Sequence, residues 1–186
     1  MPELSDAEYK RLLAVADKDA IRDVLARVSR GVDRLNADIL RTAYWPEAKV
    51  YSSFFDGPVE DFIAWLIGNY KETAIGAAHN ICNIAIELDG ETRAWGETYF
   101  IGMSENRPAG QEPFNNLTSG RYLDRFEKRD GEWRILQRTF VYELTARVAH
   151  HTAWTQPPLA DMIRRGRRDG GDMMFAMKDA VFPKPR

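Results

Sequence analysis

In the second half of this chain the hydrophobic residues stop recurring at helical spacing and begin to alternate. That switch limits the fold more than any other feature. Four segments, at about 79–88, 92–103, 116–128 and 132–145, read as β-strands. Asp89-Gly90 and Asp130-Gly131 fall between the first and second and between the third and fourth. Tight hairpins need left-handed backbone, and Asp-Gly supplies it. The stretch from Glu105 to Asn115 carries Pro108, Gly110 and Pro113 and reads as an exposed loop.

The first half is helical. Ser5 and Glu8 form a capping-box pattern that opens a short helix through about Ala16. A second helix is expected from about Asp19 to Leu35, with Ile21, Val24, Leu25, Val28, Val32 and Leu35 on one face. Asn36 caps a third short helix ending near Trp45-Pro46. Ala48 to Phe55 reads as a strand closed by an Asp56-Gly57 turn. Pro58 then starts a helix whose inner face is Phe62, Leu66 and Ile67. Helices followed by a meander of long strands argue an α+β domain over residues 1–148, in which a curved antiparallel sheet wraps the helices and encloses a cleft at its open end. Residues 149–186 form an extension with short helices at about 158–167 and 171–180, expected to pack on the body or on a neighbouring subunit.

Of the 186 residues 44% are hydrophobic, enough for a substantial core, and the net charge is −2. That balance lacks the basic footprint of a nucleic-acid binder. Arg164, Arg165, Arg167 and Arg168 read as a solvated helix face, flanked by Asp161 and Asp169. Cys82 is the single cysteine, so an intrachain disulfide and a Cys-rich zinc site are excluded. No apolar run approaches a membrane span, and the acidic start lacks a leader's apolar region, so the expected setting is the cytoplasm. The chain carries no phosphate loop, nucleophile elbow, H-E-x-x-H, dinucleotide fingerprint or calcium loop. Neither a metal nor a cofactor is expected. His150 and His151, being adjacent, point to opposite sides of an extended segment.

Asp33 lies at the edge of the second helix's apolar stripe. Its plainer reading is a surface aspartate paired with Arg30 or Arg34. The sharper one is a carboxylate that orients a histidine, and the residues alone favour the plainer. His79 opens the first strand of the meander. Cys82, Ile84, Ile86 and Leu88 form an apolar face, and His79 has the opposite parity, so it points outward unless a β-bulge between His79 and Asn83 turns it back. Arg138 shares a strand face with Phe140 and Tyr142, as a snorkelling cation at the core edge, a cation–π partner or an anion-stabilising group in a pocket. Tyr99 and Tyr122 are packing residues or phenolic donors.

Gly31-Val32-Asp33, His79-Asn80-Ile81-Cys82-Asn83, Gly120-Arg121-Tyr122 and the run Phe126 to Trp133 with its Arg129-Asp130-Gly131 turn occur in this order. Over about residues 12–145 this layout resembles the SnoaL-like branch of the nuclear transport factor 2-like superfamily. It is similar to hexachlorocyclohexane dehydrochlorinase, scytalone dehydratase and bile-acid 7α-dehydratase. The resemblance implies a cone-shaped, cystatin-like α+β barrel and an Asp–His dyad that removes a proton while a leaving group departs from the adjacent carbon. It matches Asp33 and His79 to the dyad, reversing the plainer reading of both, and matches Arg138 to a pocket arginine. Val28 departs from the pattern, since the dehydrochlorinase has a lysine there and a valine cannot polarise a carbonyl.

The resulting expectation is a cofactor-independent lyase that releases water or formaldehyde from a hydrophobic, aromatic or cyclic small molecule. His79 would act as base, Asp33 would hold its tautomer, and Arg138 with Tyr122 would stabilise negative charge. The expected lining is Tyr44, Phe100, Tyr122, Phe140 and Tyr142. The alternatives are a polyketide-cyclase-like or ketosteroid-isomerase-like enzyme using the same base, and a non-catalytic binding module. A homo-oligomer is expected, a trimer over a dimer, because apolar residues fall on the assumed outer face (Leu123, Ile135, Val141) and in the tail (Trp154, Met162, Met173, Met174, Phe175).

Overall fold

The computed structural model describes residues 4–150 and 156–182. Its first element is one helix, α1 (Asp6–Asp33), where the sequence suggested two. Residues 16 to 20, Ala-Asp-Lys-Asp-Ala, include neither glycine nor proline, so nothing interrupts the backbone ladder. The Ser5–Glu8 capping box forms. Ile21, Val24, Leu25, Val28 and Val32 are buried, while Leu12, Leu13 and Val15 on the earlier turns remain exposed.

After α1, Leu35 takes a positive φ of 46° and Asn36 caps the short α2 (Ala37–Arg41). Gly31 permits this reversal, because a Cβ there would press into Leu40 at 2.6 Å. The strand β1 (Tyr44–Tyr51) starts earlier than its alternation suggests and includes Pro46. Pro46 is tolerated because β1's pairing with β6 is irregular between Tyr44 and Lys49. Asp56-Gly57 is part of a short strand, β2 (Asp56–Pro58), rather than a turn, and Pro58 is the N-cap of α3 (Val59–Thr73) rather than its first residue.

The meander follows as β3 (Ala74–Asp89), β4 (Arg93–Asn106), β5 (Phe114–Arg129) and β6 (Glu132–Ala149). Each strand is longer than its sequence segment. Asp130 and Gly131, at φ 50° and 81°, make the two-residue turn between the paired Arg129 and Glu132. The sheet is curved and unclosed, with order β2-β1-β6-β5-β4-β3. It is antiparallel except where β1 runs parallel to β6, a pairing that the long connection between them permits. α1 lies against β3 and β6. Its early end is fixed by Asp17, which accepts from Trp133 Nε1 at 2.8 Å and Lys128 Nζ at 2.7 Å.

Three bulges decide which residues face inward. One between Ile81 and Ile84 gives β3 an extra residue. Two give β6 extra residues, between Ile135 and Gln137 and between Tyr142 and Leu144. The first of these β6 bulges corrects the expectation for Ile135. It lies in the core at 0% exposure, because the bulge turns it to the face opposite Val141 although the two share sequence parity.

Among its described residues the extension holds a four-residue helix, α4 (Leu159–Met162), and α5 (Met173–Val181). The arginine run lies outside any helix; Arg164, Arg165 and Arg167 are exposed as expected, and Arg168 is half-buried. Arg165 pairs with Glu105, Arg167 with Asp169, and Arg168 is built into the end of α1. His150 Nε2 donates to the Glu105 carboxylate at 2.7 Å, while His151 and Trp154 lie outside the described residues. No helix among the described residues is long and apolar enough to cross a membrane.

Gly120 occupies the bulge opposite Tyr142, where a Cβ would collide with the Val141 carbonyl and reach 3.0 Å from the Phe100 ring. Gly120→Ala is expected to lower stability by about 1–3 kcal/mol. Urea unfolding with an unchanged slope but a lower midpoint would show it; an unchanged midpoint would mean that the bulge yields freely.

Candidate active site

The bulge in β3 places His79. From Ala77 to Ile81 the odd-numbered residues face inward, and from Ile84 the even-numbered ones do. His79 and the core residue Ile86 therefore share a face despite opposite parity, as the alternation argument required. Cys82, assigned by that argument to the apolar face, is exposed because it lies in the bulge.

Asp33 is the last residue of α1, and its carboxylate holds His79 twice. Oδ2 accepts the backbone N–H of His79 at 3.1 Å, and Oδ1 lies 2.7 Å from Nδ1. A carboxylate only accepts, so the shared proton resides on Nδ1 and the lone pair of a neutral imidazole is at Nε2. Among the described residues no hydrogen bond is made to Nε2. The Cδ2–Nε2 edge lies beside Gly102 on β4, where an added Cβ would stand 3.4 Å away.

His79 lines a cavity of about 170 Å³ between the sheet, α1 and α3. An apolar cavity of about 150 Å³ holds one benzene ring, so this space suits a single substituted ring. The expected lining residues Tyr44, Phe100, Tyr122, Phe140 and Tyr142 all border it, as does Arg138. Asp33 acts from behind His79 and is not in this wall. Val28 contributes hydrocarbon to the wall, so the departure at that position leaves no polar group there.

Tyr122 stacks on Phe100 with centroids 4.3 Å apart and meets Phe140 edge-on at 4.9 Å. Phe54 contacts Tyr142 edge-on at 5.7 Å. Burial pushes the Tyr142 and Tyr44 phenols up to about 12, and raises Tyr122 further, so all three are neutral donors near pH 7.

Arg138 is part of the cavity wall and is paired behind it. Its Nε and Nη2 donate to Asp124 Oδ1 and Oδ2 at 2.8 and 2.7 Å, with both side chains essentially fully buried. Its guanidinium carbon lies 4.1 Å from the Tyr122 ring centroid. Burial works against the Arg138 charge, but the attraction of Asp124 outweighs it and holds the guanidinium above its ordinary value. Burial pushes the Asp124 carboxyl up while Arg138 pulls it back, and the two short parallel bonds fix the pair as ionised. Arg138 thus borders the cavity with its charge paired to Asp124 and its guanidinium against the Tyr122 ring.

Sequence reasoning did not single out Asp124, Trp65, Tyr70, Phe54, Asn116 or Thr118. Signals existed for most. Asp124, Asn116 and Thr118 share strand parity with Tyr122. Trp65 follows Phe62 by three residues and Tyr70 follows Leu66 by four, both on the inner face of α3. Phe54, in a connection, has no periodic signal.

The buried pair yields a stability prediction. Asp124→Ala leaves the Arg138 charge uncompensated and should cost about 3–5 kcal/mol, whereas the double change Asp124→Leu with Arg138→Met should cost much less. Denaturant melts of the three proteins measure the difference, and equal losses in the single and double variants would contradict it.

Residues 14–139 match the SnoaL-like domain family. No curated protein sequence matches the chain. Among solved structures it is similar to a putative scytalone dehydratase from Novosphingobium aromaticivorans, with 19% identity, 86% of this chain and 96% of that chain covered, and a TM-score of 0.63. A type 3 hexachlorocyclohexane dehydrochlorinase from Novosphingobium barchaimii gives 17% identity, 76% and 96% coverage and a TM-score of 0.67. A nuclear transport factor 2-like protein from Salmonella enterica gives 18%, 70% and 94%, and 0.61. The curved, unclosed six-stranded sheet over its helices is thus the nuclear transport factor 2-like fold, and the chain belongs to the SnoaL-like domain family.

Proposed function

We propose that this protein is a cofactor-independent lyase acting on a small hydrophobic, aromatic or cyclic molecule. The observation that carries the reading is the double hold of Asp33 on His79, which leaves Nε2 as the basic atom beside an aromatic cavity of about 170 Å³. His79 Nε2 takes a proton from carbon, and Asp33 keeps the tautomer and stabilises the imidazolium that forms. The electron pair left on carbon expels the hydroxyl of the neighbouring carbon, which takes the proton from the His79 imidazolium and leaves as water. In the formaldehyde branch Nε2 takes the proton of a hydroxymethyl O–H instead. The C=O of formaldehyde forms as the C–C bond breaks, and the pair of that bond expels the neighbouring hydroxyl, again as water with the imidazolium proton. The neutral phenols of Tyr122 and Tyr142 and the side chains of Asn116 and Thr118 are the polar partners for the substrate's oxygens. Arg138 acts through Tyr122 in this scheme.

Dehydratase and dehydrochlorinase names among the structural neighbours support the reaction class. The same base serves a cyclase or isomerase, but an acid–base pair closed onto a cavity argues against a binding-only module. The exposed α5, with Met177 at 64% and Phe182 beyond it at 69%, supports assembly into a homo-oligomer, for which we favour a trimer.

Incubation with a panel of aromatic diols and ring ketones, analysed for water loss, formaldehyde and ring closure, tests the reaction. On the substrate found, His79→Gln and Asp33→Asn are expected to lower turnover about 10²–10⁴-fold with the fold intact. Full activity in Asp33→Asn would refute the dyad. Light scattering at micromolar concentration should give about three times the 21.3 kDa chain mass; a monomer would refute assembly.

A further inference from the structure

The extension supplies an arginine to the back of the dyad. Arg168 lies beyond residues 14–139. Its Nη2 donates to the Val32 carbonyl at 3.0 Å, Nε to the Asp33 carbonyl at 3.2 Å, and Nη1 to the Ala74 carbonyl at 3.1 Å. Asp33 is the end of α1 and Ala74 the start of β3, so one guanidinium ties together the two segments that carry Asp33 and His79.

The chemistry of that junction calls for such a group. The last carbonyls of a helix lack intrahelical partners, and its C-terminal end carries partial negative charge. Val32 O is shared with the Leu35 N–H, whereas Asp33 O is met by Arg168. A carboxylate at a helix C-terminus is disfavoured by the same dipole, and a cation on those carbonyls offsets the penalty. The planar guanidinium spreads its donors over three nitrogens and so meets three separate carbonyls, which a lysine would have to reach from one nitrogen. Arg168 also lies 5.3 Å from the Tyr70 ring centroid, and Tyr70 lines the cavity. The extension itself is held in place: Arg165 bonds Glu105 at 2.8 Å, and Asp172 accepts the Arg167 N–H at 2.8 Å and approaches Arg34 at 3.3 Å.

We propose that Arg168 is a positioning residue for the Asp33–His79 pair, fixing the end of α1 against β3 so that the carboxylate grips Nδ1 and aims Nε2 into the cavity. The functional meaning rests on His79 being the base; the geometric claim does not, and its test needs no substrate.

In the full ¹⁵N-labelled chain, the His79 Nδ1–H should give a downfield, slowly exchanging proton resonance that is identified by its disappearance in His79→Gln. Arg168→Ala is expected to speed its exchange at least about tenfold or remove it, with the remaining folded amide spectrum retained. Arg168→Lys keeps the charge but not the fork and should behave closer to the alanine variant than to the parent. Arg167→Ala, one residue earlier, removes a side chain that pairs with Asp169 and keeps the backbone N–H on Asp172, and should leave the resonance unchanged. An unaltered resonance in Arg168→Ala would overturn the proposal. Should that variant lose its folded spectrum, Arg168→Lys decides alone: parental exchange overturns the proposal and faster exchange supports it. Loss of the resonance in Arg168→Ala, alongside full turnover in Asp33→Asn, would keep the geometric role and discard the lyase reading.

Discussion

A β-strand offers a side chain only two directions, and what faces the cavity here depends on where that alternation is interrupted. The extra residue in β3 puts His79 on the same face as Ile86. The extra residue in β6 lets Ile135 join the core below while Arg138, Phe140 and Tyr142 face the cavity above. Without these bulges the same strands would turn the imidazole to one side of the sheet and the hydrophobic face to the other. Antiparallel pairing supplies a rigid wall, and the bulges choose which atoms it displays.

Beneath that wall the protein keeps one fully buried ion pair. Arg138 and Asp124 gain little net stability from each other, since removing two charges from water costs several kcal/mol each. What the pair does provide is a fixed cation under the Tyr122 ring, 4.1 Å from its centroid, and a stack through Phe100 whose geometry a flexible hydrocarbon core would not define. The aromatic lining is held from behind by charge and in front by its own ring contacts.

Much of this was legible in the residues. The change from helical to alternating spacing, and Asp-Gly at the hairpins, carried the architecture, because both reflect local backbone geometry. His79 as an inward-facing residue required a bulge, and the conflict between its parity and that of Ile84 and Ile86 pointed to one. The merged α1 was obscured by an N-cap signal with no matching stop signal. Pairing of charges across distant elements was not readable. Arg168 and the carbonyls of α1 are more than a hundred residues apart, so nothing local marks that arginine as anything but one of a basic run. Likewise the role of Arg138 turns on Asp124, and only the hairpin register brings them together.

Gly102 has a consequence for how chemistry and fold are separable in a scaffold of this kind. It stands across the β3–β4 ladder from His79, and space for a methyl group exists there at ordinary contact distance. An alanine would leave the strand undisturbed and set a carbon against the flank of Nε2, shielding the lone pair from an approaching C–H. The hydrogen-bonded framework, the aromatic walls and the carboxylate behind the ring would all persist. On the proposed lyase reading, a reactive chain and an inert receptor of the same shape would be separated here by one carbon atom.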